Sequence, residues 1–595
     1  MKKTLPSLPR WRLDLAGPWD GRLVLNPDLD VAVPPKIERT FHLPLPWNVQ
    51  IEDLRWPGPE QELSGIVRPV QNQNFRDIQR KFAEGTVILT RAMHCQPPPG
   101  HRLFLVFEGS NYHTSVTLNG HALGTHDGGH LAFEFEVTEW IVPGEENTFE
   151  VTVDNLRRRD AAPQEQFNWQ NYGGVYRPFY LEARPQTFIR NLQVSPGQDE
   201  AGWFADLSLR LDKAKAGTLD VHIRSGDQEE TLTIPLDQAV WKGRIRMKST
   251  PLVWVIGAGG ISTCAVRFSP TDGAPDEVVA AFGFRTVDID GHAIRINGKP
   301  VTIQGAAMHE QHPVFGNAVP SWQSVRDIRL MKQCGFNTVR AAHYPHAQSF
   351  YETCDREGML CLAEVPCWQF NGHHFSSDAV ARLCQNIAAS MVEQLGNHPS
   401  IIAWIVQNES KSFEPGACAF FSDIARVFKD NDRTRFTISA DNPTPPEHLA
   451  VVKHVKGFPS GDPPPTAACV DVLGINNYAG WYEEKSDYLP LTLDHIHGKL
   501  PQKPLLVTEF GAEGILGQRN LAMHPWTEDY QAELICRHIR EIQSRPWMAG
   551  FILWLFIDYE CASIGIRGIN AKGLVDEFRR PKLAFNAVRH LLLKE

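Results

Sequence analysis

Ile401-Ile402-Ala403-Trp404-Ile405-Val406-Gln407-Asn408-Glu409 is a run of six apolar residues that turns polar only at its end. An unbroken apolar run of this length reads as a strand covered on both faces, as in a parallel sheet. Similar short runs occupy 301–303, 338–340, 360–364, 436–439, 472–475, 505–508 and 551–556, which makes eight with 401–406. Helical periodicity lies between most of them, as at 323–333, 379–394 and 529–543. Eight strand–helix units in about 300 residues predict a (β/α)8 TIM barrel, assigned to 286–595.

Before residue 286 the texture differs. Thr86-Val87-Ile88-Leu89-Thr90, Leu103-Phe104-Leu105-Val106-Phe107, Thr114-Ser115-Val116-Thr117-Leu118 and Thr148-Phe149-Glu150-Val151-Thr152-Val153 are short β-rich runs. Turn signals such as Asn119-Gly120 and Pro98-Pro99-Gly100 separate them. A jelly-roll β-sandwich is expected over 1–187. A second β block over 188–285, with Ala205-Asp206-Leu207-Ser208-Leu209 and Val221-His222-Ile223 alternating, has the size of an immunoglobulin-like β-sandwich.

Bulk properties narrow the function. At 595 residues the chain exceeds one core, and 42% apolar with 22% charged residues is ordinary globular composition. A net charge of -10 argues against nucleic acid or an anionic membrane as partner. The 11 cysteines include no C-x-x-C pair, so neither a zinc ribbon nor a disulfide framework is expected. The start Met1-Lys2-Lys3-Thr4-Leu5-Pro6 lacks an apolar segment behind its basic residues, and the most apolar stretch, 549–557, is too short to span a bilayer. A soluble, cytoplasmic protein is the expectation.

Catalytic side chains of such barrels stand at the C-terminal ends of the strands. Two runs end in a carboxylate there: Gln407-Asn408-Glu409 and Val507-Thr508-Glu509. Glycoside hydrolysis needs this pair, one acid to protonate the leaving oxygen and one carboxylate to attack the anomeric carbon, about 5–5.5 Å apart in retaining enzymes. His343 with His346, and His309 with His312, have spacings that suggest metal ligation, but no Asp or Cys set completes a site, so no metal is expected. His309 is placed in a sugar pocket instead. Trp554 offers either a ring for a sugar face or ordinary barrel core.

Asn397-His398-Pro399-Ser400, Asn408-Glu409 and Thr508-Glu509-Phe510-Gly511, in this order, resemble glycoside hydrolase family 2, and within it the β-glucuronidases, over essentially the whole chain. The resemblance implies the order jelly roll, immunoglobulin-like sandwich, barrel, and a homo-oligomer, commonly a tetramer. It makes Glu409 the general acid/base beside Asn408 and Glu509 the nucleophile. Asn476-Asn477-Tyr478-Ala479-Gly480-Trp481-Tyr482 looks like the family segment with two tyrosines: Tyr478 would donate to the nucleophile and Tyr482 line the pocket. Arg340-Ala341-Ala342-His343-Tyr344-Pro345 is similar to a motif whose arginine holds the nucleophile ionised.

Asn570-Ala571-Lys572 resembles the Asn-x-Lys motif that contacts a sugar carboxylate, and Arg579-Arg580-Pro581-Lys582 follows it. Two positions depart from the family pattern. Asn168 stands where an Asp binds a ring hydroxyl, and Asn donates as well as accepts, which opens gluco versus galacto preference. An arginine expected four residues before Asn570 falls on Ile566, with Arg567 one position away.

The reading is a retaining exo-β-glucuronidase acting on small-molecule β-glycosides by double displacement, chemistry that requires no cofactor. The alternatives are a β-galacturonidase, then a neutral-sugar enzyme such as a β-galactosidase, and last an inactive sugar-binding protein.

Overall fold

In the computed structural model, residues 10–25, 36–51, 83–442, 463–482, 488–561 and 568–594 are described. The C-terminal part is a closed barrel of eight parallel strands: β1 (Ile303–Met308), β2 (Thr338–Ala341), β3 (Leu360–Glu364), β4 (Ile401–Asn408), β5 (Phe436–Asp441), β6 (Val472–Asn476), β7 (Leu505–Glu509) and β8 (Met548–Leu553). Closure is direct, since β1 pairs with both β2 and β8. From β2 onward every strand residue is buried, because side chains fill the lumen on one side and helices cover the other. Those helices include α1 (Ser321–Gln333), α2 (Gln348–Glu357), α3 (Asp378–Leu395), α4 (Ala417–Asn431), α5 (Tyr488–Lys499), α6 (Glu528–Gln543) and α7 (Leu583–Leu593).

Two strands begin elsewhere than the sequence expectation, and five of the others run one or two residues further at their ends. The first strand runs 303–308 rather than 301–303, because Val301 belongs to the connection and its N–H bonds the Ile294 carbonyl. The eighth starts at Met548 rather than 551 and ends at Leu553, which leaves Trp554, Leu555 and Phe556 outside it. These three fold over the barrel end, donating to the carbonyls of Phe510, Lys572 and Ala307. They are as buried as a strand, so hydrophobicity alone does not separate the two.

The N-terminal sandwich packs a six-stranded sheet on a four-stranded one around Trp19, Phe107, Phe149 and Phe179, with the Phe107 and Phe179 rings stacked at 5.4 Å. Asn119 (φ 51°) and Gly120 (φ 81°) form the left-handed two-residue turn joining His113–Leu118 to His121–Asp127. A second sandwich has a three-stranded sheet with Ile189–Asp199 and Gly202–Leu211, and a four-stranded sheet with Gly217–Ser225 and Ser262–Pro270. No helix among the described residues is long and apolar enough to cross a membrane.

Both sandwiches brace the barrel. Asn397, at the entry to β4, exchanges hydrogen bonds of 2.8 Å with the backbone of Leu192 and Val194. The buried Arg285 guanidinium donates to the carbonyls of Pro399 (2.5 Å) and Ile401 (2.7 Å); burial, with the nearby Arg435 charge, pushes it down to about 9. From the first sandwich, Arg177 enters a buried ion pair with Glu310 (2.7 Å) just past β1 and also donates to the Pro345 carbonyl past β2. Removing one member of a buried pair strands the other charge and costs about 3–5 kcal/mol. Glu310→Ala is therefore expected to lower the unfolding free energy of the transition that exposes this joint by about that amount, read as a lower urea midpoint. An unchanged midpoint would show that the pair does not hold the joint.

Candidate active site

At the C-terminal end of the barrel the strand-closing polar residues converge on Arg340, the third residue of β2. Its side chain is 0% exposed. Nε donates to Glu364 at the end of β3 (2.8 Å), and one terminal nitrogen to Glu509 at the end of β7 (2.9 Å) and the Thr508 carbonyl (3.0 Å). The other donates to Asn408 at the end of β4 (2.8 Å). The second oxygen of Glu509 accepts from the Tyr478 hydroxyl at 2.7 Å. Burial raises the Glu509 carboxyl above its ordinary value; Arg340, His343 and Tyr478 oppose this, while the Glu409 charge adds to it.

Glu409 lies one residue past β4 with φ 50°, a left-handed conformation that side chains rarely adopt. Its backbone N–H bonds the Ala440 carbonyl (2.8 Å), and its carboxylate accepts from Asn476 (3.0 Å) and from Gln369 (3.3 Å). Asn476 also donates to Asn408 (3.1 Å) and accepts from Thr508 (2.7 Å), so contacts run unbroken from Glu409 through Asn476, Asn408 and Arg340 to Glu509.

The other candidates divide between the site's rim and its floor. His309 is buried against the rings of Trp169, His343, Tyr344, Trp554 and Tyr559; Nδ1 meets the Tyr344 hydroxyl at 3.3 Å and Nε2 has no hydrogen-bond partner among the described residues. Burial holds its ring neutral, well below the usual histidine range. Trp554 lies past the eighth strand rather than in it, and one face is stacked on His343 at 4.7 Å. Asn168 is half-buried beside Trp169, which packs among His309, His343 and Trp368 at the barrel mouth. The histidine pairs do not converge: His343 bonds Glu364 (2.8 Å) and His346 the Ala342 carbonyl (3.3 Å). Arg567 lies outside the described residues.

Lys572 is 1% exposed, and its ammonium donates to the Tyr482 hydroxyl (3.0 Å) and to Glu513 (3.3 Å). It stands 5.0 Å from the Tyr482 ring centre and 5.6 Å from those of Tyr478 and Trp481, while Tyr482 itself is 59% exposed. Asn570 accepts from the Lys572 backbone N–H at 3.2 Å. Beneath, Lys582 bonds Asp558 (2.8 Å) and the Ala571 carbonyl (2.9 Å), and Asp558 accepts from Gly573 (2.7 Å); burial pushes Asp558 up to about 7.

The TIM barrel domain of glycosyl hydrolases family 2 matches residues 287–594, and the galactose-binding domain-like part of glycosyl hydrolase 2 matches 62–207. The chain belongs to glycosyl hydrolase family 2. As a glycoside hydrolase of this family it is 25% identical to a β-glucuronidase of Paenibacillus borealis, covering 82% of this chain and 84% of that protein. It is 29% identical to one of Bacteroides fragilis, covering 82% and 72%. The fold is shared with a Bifidobacterium dentium β-glucuronidase solved with coumarin-3-O-glucuronide (TM-score 0.82, 23% identity, 99% and 98% covered). It is shared equally with a β-galacturonidase from Eisenbergiella tayi bound to galacturonate (TM-score 0.81, 23% identity, 98% of each chain).

Sequence reading passed over Glu364, Gln369, Asn476 and Glu513. Glu364 and Asn476 close apolar runs, the same signal that pointed to Glu409 and Glu509. Gln369 and Glu513 sit in loops, and no local pattern marks them.

Tyr478 supplies a testable consequence. Its hydroxyl favours the ionised Glu509, so Tyr478→Phe raises that carboxyl further. For any reaction that uses Glu509 ionised, the acidic limb of the kcat/KM profile should move to higher pH by about one unit, since a hydrogen bond to a charged group contributes about 1.5–3 kcal/mol. A limb that stays in place or moves to lower pH would contradict this electrostatic role.

Proposed function

We propose that this glycoside hydrolase is a retaining exo-β-glucuronidase. Glu509 attacks the anomeric carbon while Glu409 protonates the aglycone oxygen; Glu409 then deprotonates a water that hydrolyses the glycosyl-enzyme ester. The contacts of Glu509 with Arg340 and Tyr478 favour the ionised form a nucleophile needs. Among the described residues the partners of the Glu409 carboxylate are amides, Asn476 and Gln369, and the residue is half-buried, which suits a group that must exchange protons with water. Homo-oligomeric assembly is part of the proposal, to be checked by light scattering.

The observation that carries the uronide assignment is the buried ammonium of Lys572 among Tyr478, Trp481 and Tyr482. Tyr482 and Glu513 engage two of its three N–H groups, and a sugar carboxylate can accept from the third in a charge-assisted bond that a neutral sugar cannot make. A β-galacturonidase is the second reading, favoured by Asn168 in place of an acceptor-only side chain and by the fold shared with the E. tayi enzyme.

Glu409→Gln and Glu509→Gln should each keep the fold and lose nearly all turnover on an aryl β-uronide, with acid–base help alone worth at least about a hundredfold. Early product observed by NMR should be the β-anomer, and initial α-anomer would overturn double displacement. Lys572→Ala should lower kcat/KM on the uronide roughly 10- to 150-fold, the equivalent of a charge-assisted bond of about 1.5–3 kcal/mol, and barely alter a matched neutral glycoside. An unchanged uronide-to-neutral ratio would remove the support for a uronidase.

A further inference from the structure

Buried ammonium groups need a fixed counter-charge, and that of Lys572 is Glu513, itself only 1% exposed. The two oxygens of Glu513 have separate tasks. One accepts from the Lys572 ammonium at 3.3 Å, and the other from the backbone N–H of Ala571, the preceding residue, at 3.0 Å. A single carboxylate thus ties down both the head of the lysine and the main chain that carries it.

The tie reaches the reaction centre. Glu513 stands four residues after Glu509 on the segment leaving β7. The neighbouring Gly514 N–H bonds the Ala571 carbonyl (3.0 Å), and the Gln531 amide donates to the carbonyls of Ala512 (3.0 Å) and Gly573 (3.0 Å). The loops after β7 and β8 are therefore zipped together, and the distance between Glu509 and the Lys572 ammonium is set within this unit. A uronide must place its anomeric carbon and its carboxylate at two points of one rigid ring, so this spacing governs which sugars fit.

We infer that Glu513 is a positioning residue for selectivity towards acidic sugars, acting on the sugar carboxylate through Lys572 without touching the substrate. The inference rests on the reading of Lys572 as the carboxylate contact. Charge favours the same arrangement. The Lys572–Glu513 pair is neutral at rest, so the empty pocket holds no lone buried cation, and the ammonium has three N–H groups, of which Tyr482 and Glu513 engage two. Without Glu513 the flexible stem is free to swing past the exposed Tyr482 towards solvent.

The test is a double-mutant cycle read as the kcat/KM ratio of an aryl β-glucuronide over the matching β-glucoside, with the galacturonide and galactoside pair run in parallel. Glu513→Ala is expected to lower the acidic-to-neutral ratio about tenfold. Glu513→Gln, which keeps one acceptor oxygen, should recover part of the loss. In a Lys572→Ala background, Glu513→Ala should lower the ratio no further. Equal loss on acidic and neutral sugars would make Glu513 a purely structural residue and overturn the proposal. So would a raised ratio in Glu513→Ala, or a full additional loss in the double variant. If Lys572→Ala by itself leaves the ratio unchanged, the uronide reading of Lys572 fails first, and that outcome is visible separately from the Glu513 arm.

Discussion

A guanidinium without exposed surface must find acceptors for five N–H donors inside the protein, and Arg340 finds them on the ends of three different strands. Taking such a charge out of water costs several kcal/mol, and only a nearly complete set of partners offsets this. The requirement fixes Glu364, Asn408 and Glu509 relative to β2, and through Asn476 it extends to Glu409. Closing the barrel and assembling the carboxylate pair are thus one structural event. Burial pushes Glu364 up, but Arg340 and His343 outweigh it, so that carboxyl lies below its ordinary value and balances the guanidinium. Glu509 shares the same cation with Glu364 and is raised, so the two acids around one arginine are held differently.

The two sandwiches act on this centre from opposite ends of the barrel strands. The second grips the entry of β4 through Asn397 and Arg285, below the sheet. The first reaches the mouth, where Arg177 pairs with Glu310 and Trp169 packs beside His309 and His343. This accounts for Asn397-His398-Pro399-Ser400, a motif far from the carboxylates: its side chains bond Leu192, Val194 and Asp355, and its role is to seat the strand that delivers Glu409.

Periodicity and strand-end chemistry are local properties, legible in the sequence itself. Eight apolar runs announced the barrel, and six of them begin where the observed strands begin. The polar residues closing β4 and β7 are Asn408 with Glu409, and Glu509. The first and last runs were displaced because Val301 and the 554–556 segment are apolar for tertiary reasons, packing in a connection and across the barrel end. Lys572 was visible as a motif, but nothing near it in sequence tells a solvated turn lysine from a buried one.

The amino-acid order by itself determined the secondary-structure pattern, the barrel and sandwich classes, and the residues that terminate each strand, because each depends on neighbours within one turn or two pleats. Tertiary structure alone decided which of those residues meet. Arg340 and Glu509 are 169 positions apart, and Lys572 and Glu513 are 59 apart. Their pairings exist because barrel closure brings distant strand ends into one dry space, where an unpaired charge is too costly to leave alone.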